Sequence, residues 1–255
     1  MELARSLSLT VIELSRGAVR RCNPELADWE VNLRFVAHCY GDELADRLGR
    51  FMDRQGRQAG SPLHSSDLAI ATTPVVELLE RLGVDYYICG SVASSAFGVP
   101  RSTLDVDLVA DLSPVHVDRL VDALRDQYYV EASLVRRAIE CESSFNLIHL
   151  QTMLKIDVFV CKTSAYDRQM LERSRRGGLS PEQNAQAKFA SPEDTILHKV
   201  LWYQKGGGVS ERQWSDVLGV MKVQRDQLDL GYMRHWAQSL GIADLLERAI
   251  GEARD

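Results

Sequence analysis

The sequence predicts an α/β (α+β) fold: a small mixed sheet with a helical N-terminal appendage and a helical C-terminal region. Three observations carry this. Short apolar runs of strand character fall between positions 84 and 160, separated by segments with helical spacing. Before position 55 and after position 191, apolar residues recur at three- and four-residue intervals. The chain has 255 residues, 45% hydrophobic and 26% charged, which suits a packed core and argues against a disordered or fibrous chain. At about 1.7 times a ~150-residue domain, it accommodates one core with an appendage or two small domains.

The elements follow in order. A short helix is expected around Leu7 to Val19, and a clearer helical stretch from Pro24 to Arg54, where Leu33, Val36, Tyr40, Leu44, Leu48, Phe51 and Met52 share a face. The polar, Gly- and Ser-containing segment 54–67 reads as a linker, which divides the chain into an appendage (1–60), a core (68–170) and a helical region (185–255). Thr73-Pro74 is expected to open a helix that runs to about Leu82 and closes at Gly83. VDYYIC begins a buried strand, and DVDLVADL (105–112) alternates polar and apolar side chains as a second. Ser113-Pro114 starts a helix to about Arg125, and a short helix covers Ala132 to Glu140. FNLIHL (145–150) and LKIDVFV (154–160) lie close enough to form a hairpin. Ser191-Pro192-Glu193-Asp194 combines a cap, a first-turn proline and early acids, so a helix runs from there to about Tyr203, ahead of the Gly206-Gly207-Gly208 loop. Ser210 caps the next helix, and a final pair spans Leu228 to Ile250.

Charge and cysteine usage narrow the function classes. The net charge of −6, from 30 basic and 36 acidic residues, supplies no global field towards nucleic acid or anionic lipid, so any such surface must be local. Five scattered cysteines suggest neither a disulfide scaffold nor a zinc site, and a cytoplasmic location is expected. Glu2 and Glu13 stand where a signal peptide would be basic and then apolar, and the uncharged stretch Tyr86 to Pro100 is too short to span a bilayer; no membrane partner is expected.

Asp105 and Asp107, two apart on a strand, place both carboxylates on one face, with Val106 and Leu108 on the other. Paired carboxylates are costly without a positive partner, and a divalent metal is one explanation; solvent exposure is the other. Asp157 is the one acid in the apolar LKIDVFV run and joins the pair if its strand lies beside theirs. Gly90-Ser91 follows YYIC and precedes a helix, where backbone N–H groups and a hydroxyl can hold a phosphate, although a plain tight turn uses the same residues.

Together these residues resemble the nucleotidyltransferase superfamily of the DNA polymerase beta type: ICGS, then VASSAFGVPRSTL, then DVDL, with Asp157 as the third acid and Arg101-Ser102-Thr103 before the pair. More loosely, the chain is similar to nucleotidyltransferases related to abortive-infection toxins, in which a later helical region supplies a Lys and an Asp; Lys199 in EDTILHKVLWY and Asp216 in ERQWSDVLGV match those positions. The resemblance implies an enzyme that uses Mg²⁺ or Mn²⁺ and an NTP to transfer a nucleotide to a hydroxyl acceptor. That acceptor is a tRNA end, a protein side chain or a small molecule such as an aminoglycoside. In the implied roles, Asp105 and Asp107 bind the metal at the triphosphate, and Asp157 shares a second metal and activates the acceptor. Gly90 and Ser91 hold the nucleotide, Lys199 neutralises the outer phosphates, Arg101 contacts phosphate or buttresses its loop, and Asp216 positions neighbouring groups.

The remaining polar residues point less clearly. His149 faces either the site or a hydrogen-bonded core position, and Cys89 reads as a small buried strand residue. Arg173, Arg175 and Arg176, with Lys162 and Arg168 upstream, form a local basic patch suited to an RNA backbone or to plain solvation. Trp202, Trp214, Tyr232 and Trp236 read as helix packing. The rival to an enzyme is a non-catalytic, antitoxin-like interaction module in which the N-terminal helices bind a protein partner such as a cognate antitoxin or toxin. The N-terminal segment is also a candidate mask over the active site.

Overall fold

The computed structural model describes residues 16, 18–55, 67–101, 103–180 and 185–254. The expected helix around Leu7 to Val19 and the linker at 54–67 lie largely outside them. Among the described residues, the chain runs α1 (Asp28–Tyr40), α2 (Asp42–Gln55), α3 (Asp67–Leu82), β1 (Tyr86–Cys89), α4 (Gly90–Phe97), β2 (Asp105–Ala110) and α5 (Val117–Leu124). It continues through β3 (Tyr128–Tyr129), α6 (Ala132–Glu140), β4 (Ser144–His149), β5 (Lys155–Val160), α7 (Ala165–Glu172), β6 (Arg175–Ser180) and β7 (Ala185–Phe189). Four helices complete it: α8 (Pro192–Lys205), α9 (Glu211–Gln224), α10 (Leu230–Leu240) and α11 (Ala243–Arg254). No helix among the described residues is long and apolar enough to cross a membrane.

The strands form one mixed seven-stranded sheet in the order β3-β4-β5-β2-β1-β7-β6. β4 and β5 are the antiparallel hairpin expected from the sequence, with Asn146 opposite Asp157. β5 lies parallel to β2, and β2 antiparallel to β1.

Strand alternation sorts side chains into two layers. Val106, Leu108, Ile156, Val158, Leu147 and Ile88 enter one core with Val75, Leu79, Leu120 and Val135, the apolar stripes of α3, α5 and α6. On the opposite face two separate helical groups are seated. Tyr87, Cys89 and Val109 pack with Ile196, Val200, Val217, Val220 and Met233 of the C-terminal helices. Tyr129 and Ile148 pack with Phe35, Val36, Leu48, Phe51 and Met52 of α1 and α2. Asp105, Asp107, Lys155 and Asp157 share that second face, in the gap between the two groups.

Helix starts follow their caps. Ser191, Ser210 and Asp229 accept the N–H of Asp194, Gln213 and Tyr232 at 3.1, 3.4 and 2.9 Å. One expectation needs correction. Thr73-Pro74 does not open α3: the helix begins at Asp67 and runs through Pro74, because Ala69, Ala71, Val75, Val76 and Leu79 are all buried and that packing outweighs the missing proline donor. The helical stretch expected from Pro24 to Arg54 is made by α1 and α2, which part at Gly41, whose φ of +96° suits glycine.

Candidate active site

β2 and β5 pair in register with Asp107 opposite Asp157 and Asp105 opposite Lys155, so the three carboxylates stand side by side on two adjacent strands. Alternation alone puts Asp105 and Asp107 on one face; the parallel pairing brings Asp157 to them. Gly90 begins α4 directly after β1, with φ +60°. A Cβ at Gly90 would lie 1.9 Å from Asp107 Oδ2 and 3.0 Å from its Cβ, so only glycine permits the turn to close against this carboxylate.

The electrostatics are those of a crowded anionic site. Burial, then the charges of Asp105 and Asp157, push the Asp107 carboxyl up to about 6, and Lys155 and Lys199 pull it partly back. Thr103 Oγ1 donates to Asp105 Oδ1 at 2.9 Å. Asp157 is held on both oxygens: Asn146 Nδ2 donates to Oδ1, and Lys155 Nζ lies 2.7 Å from Oδ2. Cys89 faces Asp107 across the β1–β2 pair and is fully packed, with its thiol pushed well up by burial, so it stays a structural residue.

The C-terminal helices reach the glycine turn through Asp216. Arg101 donates to it twice, Nε to Oδ1 at 2.8 Å and Nη2 to Oδ2 at 2.9 Å, and Lys199 Nζ donates to Oδ2 at 2.7 Å. Burial raises the Asp216 carboxyl, but these two partners hold it below the usual carboxylate range. Arg101 Nη2 also donates to Ser91 Oγ. Arg101, Lys199 and Asp216 therefore form one unit of net charge +1 that braces the Gly90-Ser91 turn against α8 and α9. All eight residues singled out in the sequence fall in or beside this site.

Sequence reading missed three groups here: Asn146, Lys155 and Tyr40. The first two were legible, since Lys155 stands two residues before an acid and Asn146 sits on the paired hairpin strand. Tyr40 was not, because it arrives from α1. Its hydroxyl donates to Leu104 O at 2.7 Å, and Lys155 Nζ stands 5.3 Å from the centre of its ring. Burial first, and then the nearby Cys39 and Asp105, keep that hydroxyl protonated.

Other candidates resolve elsewhere. His149 is a core residue: it pairs with Thr152 Oγ1 at 2.9 Å, packs on Tyr128, and burial lowers it to about 4. The basic patch is drawn into ion pairs. Arg173 lies 3.3 Å from Glu193 and stacks on Tyr232, Arg175 lies 3.7 Å from Glu193, and Arg176 lies 3.3 Å from Glu80. Trp214 packs on Tyr203 and Trp236 on Tyr166, as expected of helix packing.

Among the described residues, no three His, Cys, Asp or Glu side chains converge as a ready ligand set for a metal ion. Asp157 is turned to Lys155 and Asn146 instead. Asp105 and Asp107 nevertheless fit a hard divalent cation in donor chemistry: both offer carboxylate oxygens on one face, next to the Asp157 carboxylate on the paired strand.

No family model matches the sequence, and no curated protein matches it. Among solved structures, the chain is similar to an antigenic nucleotidyltransferase-like protein from Paracoccidioides brasiliensis, at 18% identity and TM-score 0.47 over 75% of this chain and 95% of that one. It is also similar to the antibiotic-resistance factor ANT(2'')-Ia, at 11% identity and TM-score 0.48 over 74% and 100% of the two chains. A third is the lincosamide antibiotic adenylyltransferase LnuA, at 17% identity and TM-score 0.37 over 58% and 93%. These are distant likenesses of fold, and the functional reading rests on the site's own geometry.

Proposed function

We propose that the chain is a nucleotidyltransferase that moves a nucleotide from an NTP to a hydroxyl acceptor. The observation that carries this is the set of three carboxylates on β2 and β5, closed on one side by a glycine whose turn packs directly on Asp107. Asp105 and Asp107 are the residues that would hold Mg²⁺ or Mn²⁺, which when bound supplies positive charge to the phosphate oxygens. The Gly90-Ser91 turn, braced by Arg101, Lys199 and Asp216, offers backbone N–H groups and a net positive surround to the triphosphate.

Asp157 is suited to the acceptor. Lys155 and Asn146 keep it oriented, and it takes the acceptor's hydroxyl proton as the oxygen attacks the α-phosphorus. The new O–P bond forms as the bond to the bridging oxygen breaks, and that electron pair leaves on pyrophosphate. The finer assignment, a tRNA end as acceptor in a toxin-antitoxin or phage-defence setting, draws support from the resemblance of EDTILHKVLWY, with Lys199, and ERQWSDVLGV, with Asp216, to the toxin-related pattern.

Incubating the purified chain with Mg²⁺ or Mn²⁺, each α-labelled NTP, and separate pools of tRNA and cell protein tests the proposal against an Asp105→Ala, Asp107→Ala double variant. Label should transfer to one pool and be lost in the variant. No transfer, no metal-dependent NTP binding and a stable 1:1 complex with a protein partner would replace it with the interaction-module reading.

A further inference from the structure

Asp157 differs from its two neighbours in already having a cation. Lys155 precedes it by two residues on β5, so both side chains leave the same face of the strand, and Nζ sits 2.7 Å from Oδ2 with both side chains largely covered, at 17% and 15% exposure. Asn146 donates to the other oxygen from the adjacent strand. Lys155 is held from outside as well: its ammonium stands over the Tyr40 ring, and the ring is fixed by the hydroxyl bond to Leu104 O. Tyr40 is anchored in turn, since α1 and α2 pack through Phe35, Leu48 and Phe51 onto Tyr129 and Ile148 of the sheet.

We propose that Lys155, positioned by Tyr40, is a tethered cation that occupies the place of a second metal ion at Asp157, so that the site takes a single divalent cation on Asp105 and Asp107. This rests on the nucleotidyltransferase reading and narrows it. A second ion at Asp157 would have to compete with the ion pair and the Asn146 bond for the same two oxygens, and would share the site with an ammonium that its own strand keeps close. Lys155 is a positioning residue here: its ammonium, 2.7 Å from Oδ2, holds the Asp157 carboxylate aimed. The N-terminal helices thereby set the metal count of the site, a role different from masking it.

The test is a titration of the full chain with Mn²⁺ alone, counting bound ions by electron paramagnetic resonance, with folding followed by circular dichroism. The intact protein should bind one Mn²⁺, Lys155→Met should bind two, and Lys155→Arg, which keeps the charge, should bind one. Two ions on the intact chain, or one ion on a folded Lys155→Met, would overturn the tethered cation and leave the nucleotidyltransferase reading standing. Two ions on Lys155→Arg would show that packing rather than charge excludes the second ion, and would also overturn it. No Mn²⁺ on either the intact chain or Lys155→Met would remove the metal site itself, and the proposed function with it. If Lys155→Met does not fold, Lys155→Gln, which also removes the charge, takes its place: two ions are expected, and one ion on the folded variant would overturn the tethered cation.

Discussion

Replacing Asp107 by Asn should make the protein more stable while abolishing transfer. Asp107 stands beside two other carboxylates, and its carboxyl is pushed from an ordinary 3.8 up to about 6 by burial and by those neighbours. A displacement of that size corresponds to a destabilisation of about 3 kcal/mol at neutral pH, which partial water access lowers to about 1–3 kcal/mol. The sign follows from proton linkage. The folded state binds this proton more tightly than the unfolded state, so the penalty is fully present above pH 6, fades as pH falls from about 6 to 3.8, and is absent below that. Asn keeps the shape and removes the charge, so Asp107→Asn should raise the melting temperature by about 3–10 °C at pH 7.5 for a chain of this length. Scanning calorimetry of both proteins from pH 7.5 down to 4 should show the gap closing as the wild-type carboxyl takes up its proton. Mg²⁺ at pH 7.5 should raise the melting temperature of the wild type and leave the variant unmoved. A variant no more stable than wild type at pH 7.5, or a gap indifferent to pH, would refute the reasoning.

Gly90→Ala places a methyl carbon 1.9 Å from Asp107 Oδ2 at a positive φ, so the carboxylate must move. The backbone term alone costs about 1–2 kcal/mol, and a displaced carboxylate about 10²-fold in transfer rate, read by urea unfolding and label transfer; full stability with unchanged rate would contradict the contact. Asp216→Ala strands Arg101 and Lys199 at a site where the acid is only 7% exposed, and should destabilise by about 3 kcal/mol in chemical unfolding. A change near zero would mean those two cations have other support. Tyr40→Phe removes one buried hydrogen bond to Leu104 O and keeps the ring under Lys155, so it should cost about 1 kcal/mol and leave the Mn²⁺ count at one; a second bound ion would show that the hydroxyl, not the ring, positions Lys155.

Much of the site was written in strand periodicity and caps. Asp105 and Asp107 had to share a face because strand side chains alternate, and the helix beginning after Ser191 had to start there because a hydroxyl, a first-turn proline and two acids coincide. Ala132 to Glu140 likewise forms α6 between the residues its spacing indicated. These are local consequences of backbone geometry and side-chain chemistry, so one sequence suffices to read them.

Other features depended on which elements became neighbours. The β6–β7 pair was hidden because RRGG has no apolar alternation and its Gly-Gly reads as a turn rather than a strand, and the β6 arginines Arg175 and Arg176 found Glu193 and Glu80 only once α8 and α3 were packed beside them. α3 starts at Asp67 because burial of its first turns outweighs the local preference expressed by Thr73-Pro74. The sequence by itself determined the strand faces, the caps, the glycine turn and the identity of the three acids. The tertiary structure alone decided that Asp157 stands opposite Asp107, that Asp216 joins Lys199 to Arg101, which is 115 residues from it in the chain, and that Tyr40 reaches Lys155. Those juxtapositions arise from sheet order and from the packing of separate helices on one sheet face, and neither is encoded in any short window of sequence.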